Sequence, residues 1–91
     1  MTVQDNPAKR RYEAIVDGEV AGYVSYQEQE GELVLIHTEV AEEFEGQGIG
    51  SRLAGGTLDD IRARSLRIVP LCPFIKSFIE RHPDYSDLVA A

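Results

Sequence analysis

The sequence predicts one mixed α/β domain in the order β-β-β-α-β-α, an antiparallel meander joined to a single parallel crossover. Three observations carry this prediction. Residues 10–40 alternate with a period of two between turn dipeptides, and the period changes after the glycines at 46, 48 and 50. A short apolar run at 66–71 then passes through a proline into a second apolar stripe.

Met1 to Ala8 is polar and contains a proline, so residues 1–9 read as a flexible arm and residues 10–91 as the single domain. From Arg10, the residues Tyr12, Ala14 and Val16 alternate with Glu13 and Ile15, and Asp17-Gly18 is a hairpin signal. The next run, Glu19 to Gln29, puts Val20, Gly22, Val24 and Tyr26 on one face and Ala21 and Tyr23 on the other, before a turn at Glu30-Gly31. In Glu32 to Val40, Leu33, Leu35 and His37 lie opposite Val34, Ile36, Thr38 and Val40. Both faces of that run are largely apolar, which predicts a central strand covered on both sides.

After the glycines, Ile49, Leu53, Thr57, Leu58 and Ile61 fall near helical spacing, with Asp59, Asp60, Arg62 and Arg64 on the wet side. Gly55-Gly56 interrupts this helix at about 1 kcal/mol per glycine, so either the helix frays there or something packs closely. Leu66 to Leu71 is a short strand. Pro73 fits a first helical turn, Phe74, Ile75, Phe78 and Ile79 form the stripe, and His82-Pro83 stops it. Residues 84–89 add one more turn.

Composition narrows the function. Nine Lys and Arg against sixteen Asp and Glu give a formal charge of −7. That balance argues against nucleic-acid binding, which relies on a basic footprint. No apolar run is long enough to cross a bilayer and the N-terminus has no signal-peptide core, so the expected location is cytoplasmic. A single cysteine, Cys72, excludes an internal disulfide and a Cys-rich zinc site, and no metal centre is expected. Nothing in the sequence sets the oligomeric state.

The most informative stretch runs from Val40 to Leu53, where a strand enters a loop with glycine at alternate positions and the loop enters a helix. Glycine permits positive φ and close backbone approach, and a helix start offers unpaired N–H donors at the positive dipole end. Such a place suits a phosphate or pyrophosphate. Gly46-Gln-Gly-Ile-Gly50 is neither the dinucleotide G-x-G-x-x-G nor a P-loop. The plain alternative is a tight strand-to-helix connection that binds nothing.

Glu45-Gly-Gln-Gly-Ile-Gly50, followed by an amphipathic helix, resembles the acyl-CoA pyrophosphate loop of the GNAT superfamily of N-acetyltransferases. Together with His37-Thr-Glu-Val40, Pro70-Leu-Cys-Pro-Phe74 and Arg81-His-Pro83, it resembles a small one-domain branch with a cysteine after the last strand. The likeness spans about Arg11 to Val89. It implies a minimal GNAT-like fold, acetyl-CoA or coenzyme A as the bound cofactor, and transfer of an acetyl group to an amine by direct attack. The backbone amides of Gly46, Gln47, Gly48, Ile49, Gly50 and Ser51 would hold the pyrophosphate. Thr38 and Val40 would pair main chain with the pantetheine arm, and Lys76 or Arg52 would meet the outer phosphates. Glu45 stands where Arg or Gln is usual, and the general-acid tyrosine common on the last helix falls at Ile79.

Cys72, before a helix opening with Pro73, sits where the dipole favours a thiolate. It would act as nucleophile or beside the departing sulfur, although free cysteine also packs as a buried hydrophobe. His37 could deprotonate an ammonium acceptor or be satisfied by a sheet neighbour. Glu39 could share that work, while Tyr12, Tyr23 and Tyr26 read as cross-strand packing. The acidic runs favour a cationic small-molecule or peptide amine as partner. A rival reading of the same likeness is a non-catalytic CoA-binding adaptor or sensor; a third is an interaction domain.

Overall fold

A computed structural model describes residues 1–90; position 91, the end of the expected domain, lies outside them. Five strands form one mixed sheet in sequence order: β1 (Thr2–Asn6), β2 (Arg11–Val16), β3 (Glu19–Gln29), β4 (Glu32–Val40) and β5 (Arg67–Pro70). The first four are antiparallel, and β5 pairs parallel with β4 after the crossover helix α1 (Ile49–Ala63). Helix α2 (Pro73–Arg81) follows, and 3-10 turns occupy Pro7–Lys9, Glu42–Phe44 and Pro83–Leu88. No helix among the described residues is long and apolar enough to cross a membrane.

The core lies between one sheet face and the two helices. Leu53, Leu58 and Ile61 of α1 and Ile75 of α2 are fully buried against Tyr12, Val24, Leu35 and Ile68. The other sheet face carries no helix. It presents Arg11, Tyr23, His37 and Glu39, with Ile36 40 % exposed, so β4 is covered on one side and not on both. Two bulges account for faces that simple alternation misplaces. An extra residue at Ala21 breaks the β2–β3 register and leaves Val20 on the surface while Ala21 and Gly22 go inward. A second at Ile36 breaks the β3–β4 register between Leu35 and His37. A bulge adds one residue to a two-residue period, which re-aims everything after it. His37 therefore joins Tyr23 on the open face instead of following Leu33 and Leu35 into the core, and Thr38 turns toward the helices.

Residues 2–6 form a strand and not a loose arm. Their pattern is too polar to announce one, and what holds them lies far along the chain. Asp5 accepts from the Tyr26 hydroxyl at 2.6 Å and from Arg64 at 3.1 Å. Arg64 also reaches the Tyr12 hydroxyl, which donates to Asp60 at 2.6 Å. Val3 packs onto α1 at Gly56, where an added Cβ would lie 2.7 Å from Val3 Cγ2 and 2.8 Å from its Cβ. The glycine pair therefore marks a close approach, and α1 runs through it unbroken.

Gly56→Ala should thus destabilise the protein although alanine is the better helix former. A helix-propensity gain of about 1 kcal/mol meets an overpacking cost of about 1–3 kcal/mol. In a Val3→Gly background, which removes the Cβ contact as well as the Cγ2 contact, the same change should become stabilising. Urea unfolding of the four proteins checks this; a Gly56→Ala effect of unchanged sign and size in both backgrounds would refute it.

Candidate functional site

The loop and helix start are built as the glycine spacing requires. Gly46 and Gly48 have φ of +79° and +75°, a region other residues enter at a cost, and Gly48 caps α1 in the left-handed conformation. The first intrahelical bond of α1 runs from Arg52 N–H to the Gly48 carbonyl. The amides of Ile49, Gly50 and Ser51 precede it, and no side chain caps the helix. Open space lies where a Cβ at Gly46 or Gly48 would project. This is a cradle of free donors at a positive dipole end, a fit for an anionic diphosphate. A shallow groove of about 250 Å³ runs past it, between Val40, Phe44, Gly48, Ser51 and Phe74.

Beside the cradle the two parallel strands part. Their register ends at Leu35 with Pro70, and the Leu35 carbonyl accepts from both Leu71 and Cys72 N–H at 3.0 Å. Beyond that point β4 continues to Val40 bonded only to β3. Ala41 N–H points to β3, donating to the Ala21 carbonyl at 2.7 Å. Successive N–H groups of a strand alternate in direction, so Val40, and Thr38 two residues before it, present main chain to the edge that β5 has left. The slot between the strands therefore exists, with Thr38 and Val40 on its wall.

Cys72 closes the inner end of this slot. It is 2 % exposed, and its Sγ lies 3.2 Å from Thr38 Oγ1, a contact that bridges the separated strands. His37 lies on the open face, 57 % exposed at its side chain. The structure thus brings Thr38 and Cys72 together but sets His37 on the opposite side of the sheet. There His37 Nε2 is 3.7 Å from Glu39 Oε1, and the Tyr23 hydroxyl donates to Glu39 Oε2 at 2.8 Å. That bond and the carboxylate charge push the Tyr23 hydroxyl up from its usual pKa. Lys76 and Arg52 are exposed on α2 and α1 without side-chain partners among the described residues.

Sequence reading missed one feature. Arg11, Tyr23, Glu39, Glu42 and Glu45 line a depression of about 520 Å³ on the open face at the end of β4. These residues come from three strands, a turn and a loop, so no local spacing reveals them. The signal would have been the β3–β4 register, had the bulge at Ile36 been foreseen.

The family model of GCN5-related N-acetyltransferases matches residues 11–88. The chain belongs to that family. Among solved structures it resembles the solution NMR structure of a GCN5-like protein from Staphylococcus aureus, with TM-score 0.70 and 22 % identity. That likeness covers 98 % of this chain and 87 % of the other, and it shows the same fold. Curated proteins give no match. No helix among the described residues covers the open sheet face.

Proposed function

We propose that this family member binds acetyl-CoA along the free edge of β4 and at the head of α1, and transfers the acetyl group to an amine. One observation carries the proposal: uncapped amides at Ile49, Gly50 and Ser51 adjoin a strand edge whose parallel neighbour has turned away. When bound, acetyl-CoA supplies a thioester whose carbonyl an amine can attack. The amides of Gly46 to Ser51 would hold its diphosphate, the main chain of Thr38 and Val40 its pantetheine arm, and Lys76 or Arg52 its outer phosphates. Cys72, oriented by Thr38, would stand beside the departing sulfur, and the exposed His37 would take the proton of the incoming ammonium. Titration of labelled protein with acetyl-CoA tests the binding, with shifts expected at Gly46–Ser51 and at Thr38 and Val40. Unmoved amides there would overturn it.

Cys72→Ala should lower acetyl transfer at least tenfold while leaving CoA binding within about twofold, since the buried thiol does not line the groove past the diphosphate cradle. Transfer close to wild type would remove both roles for the sulfur.

A second reading, a CoA binder without catalysis, draws on a particular residue. The position of the customary general-acid tyrosine is Ile79, buried in the core, so no hydroxyl is available there. A panel of amines separates the two: a pure binder saturates with CoA and yields no acetylated product.

A further inference from the structure

The alternating glycines of the loop are not alike. Gly46 and Gly48 hold positive φ with open space where a Cβ would project, so conformation requires them. Gly50 lies inside α1 without a positive φ, and its requirement is contact. A Cβ there would stand 3.0 Å from Phe74 Cζ and 3.5 and 3.6 Å from its Cε1 and Cε2. The tip of the Phe74 ring therefore rests on the bare Cα of Gly50. One turn further along α2 the fit is looser: a Cβ at Gly55 would meet Phe78 Cζ at 3.8 Å, an ordinary contact.

We infer that Phe74 is a positioning residue for acetyl transfer: its ring, seated on Gly50, sets the head of α2, and with it Cys72, against the diphosphate cradle at the head of α1. The inference rests on the acetyl-transfer reading and adds to it the residue that holds the two ends of the site in register. Cys72 is the N-cap of α2, and Phe74 follows it by two residues inside the first turn. The Cys72 carbonyl accepts from Lys76 N–H at 3.1 Å, so the thiol and the ring belong to one hydrogen-bonded turn. On its other side Cys72 is tied to β4, by its N–H to the Leu35 carbonyl at 3.0 Å and by its Sγ, 3.2 Å from Thr38 Oγ1. The ring adds a tie to the turn of α1 that carries the amides of Ile49, Gly50 and Ser51. Close-packed groups transmit a displacement, so pushing the ring back by a few tenths of an ångström moves Cys72 against Thr38. Misplacement of a reacting group lowers turnover while every contact that binds the cofactor stays in place.

Two other roles would leave the same contact. Gly50 could be small so that the diphosphate reaches its amide, or Phe74 could serve only as a wall of the groove, which it lines with Val40 and Phe44.

The test compares wild type, Gly50→Ala, Phe74→Leu and the double variant, each with and without Cys72→Ala. Acetyl transfer is measured with the most active amine of the panel, and affinities for CoA and ADP by calorimetry. Each single change should lower kcat about fivefold and leave CoA and ADP affinities within about twofold. The double variant, whose shorter side chain makes room for the new methyl, should return to within about twofold of wild type. Gly55→Ala should leave transfer unchanged. In the Cys72→Ala background the same changes should cost less than about twofold more, because a residue acting through the thiol has nothing left to position. In the free protein the amides of Thr38 and Cys72 should shift in both single variants and return in the double. Weakened ADP binding in Gly50→Ala assigns the glycine to the diphosphate. Weakened CoA binding in Phe74→Leu that the double variant does not repair assigns the ring to the groove wall. Either result overturns the inference, as does a full additive loss in the Cys72→Ala background. Wild type that binds no CoA or transfers no acetyl group overturns the underlying reading as well, and it shows this before any variant is made.

Discussion

Gly48→Val is expected to weaken CoA binding by about a hundredfold while the chain stays folded. Gly48 holds φ at +75°, where an L side chain costs about 1–2 kcal/mol and a β-branched one more. No atom beyond the chain neighbours lies within 4 Å of the added Cβ, so the main cost is backbone strain at this residue. The backbone relieves it by rotating the residue that aims the next three amides. Two charge-assisted hydrogen bonds lost at about 1.5 kcal/mol each, the low end of their range, amount to about two powers of ten. Calorimetry with CoA measures the affinity, and an amide spectrum confirms the fold. An affinity within threefold of wild type would mean that the helix start is not where the diphosphate binds.

The second large effect is alkaline. Above pH 10 stability should fall by up to about 1.4 kcal/mol per pH unit for each of Tyr12 and Tyr26. Both rings are in the core, 5.7 Å apart, and each hydroxyl donates to a carboxylate, Asp60 or Asp5. Burial first, and then the neighbouring carboxylate, push both hydroxyls well above the usual 10.0. The sign follows from proton counts. Below pH 10 folded and unfolded chains both keep the phenolic proton, so this stabilisation is complete. As pH rises further the unfolded chain releases it and the folded chain does not, so unfolding gains. Tyr23 and Tyr85 are raised by Glu39 and Asp59 but are wetter, and add less. Tyr12→Phe should cost about 1 kcal/mol at neutral pH and remove one share of the alkaline slope. Urea midpoints between pH 8 and 11 check both, and a slope identical to wild type would refute the assignment.

Most elements were legible because their signals are local. Alternation placed three of the strands, and the glycine-to-helix change of period placed α1. What escaped depends on residues distant in sequence. β1 is held by Arg64 and Gly56, more than fifty residues away, and its polar run shows nothing of this. The faces of β3 and β4 were misread because an alternating pattern looks the same with or without an inserted residue. That error mattered at the site. It put His37 on the face of Leu33 and Leu35, hid its meeting with Tyr23 and Glu39, and left the Thr38–Cys72 contact invisible. The loop glycines were readable since their role is conformational and confined to a few residues.

The doubly accepting carbonyl of Leu35 has one further consequence. Because it ties Leu71 and Cys72 to β4 while β3 backs the strand as far as Val40, the receptor edge is already ordered before any ligand arrives. The entropy of aligning it was spent in folding. Occupancy should therefore follow the integrity of the whole sheet, and an excised peptide of the loop and helix alone should retain little grip.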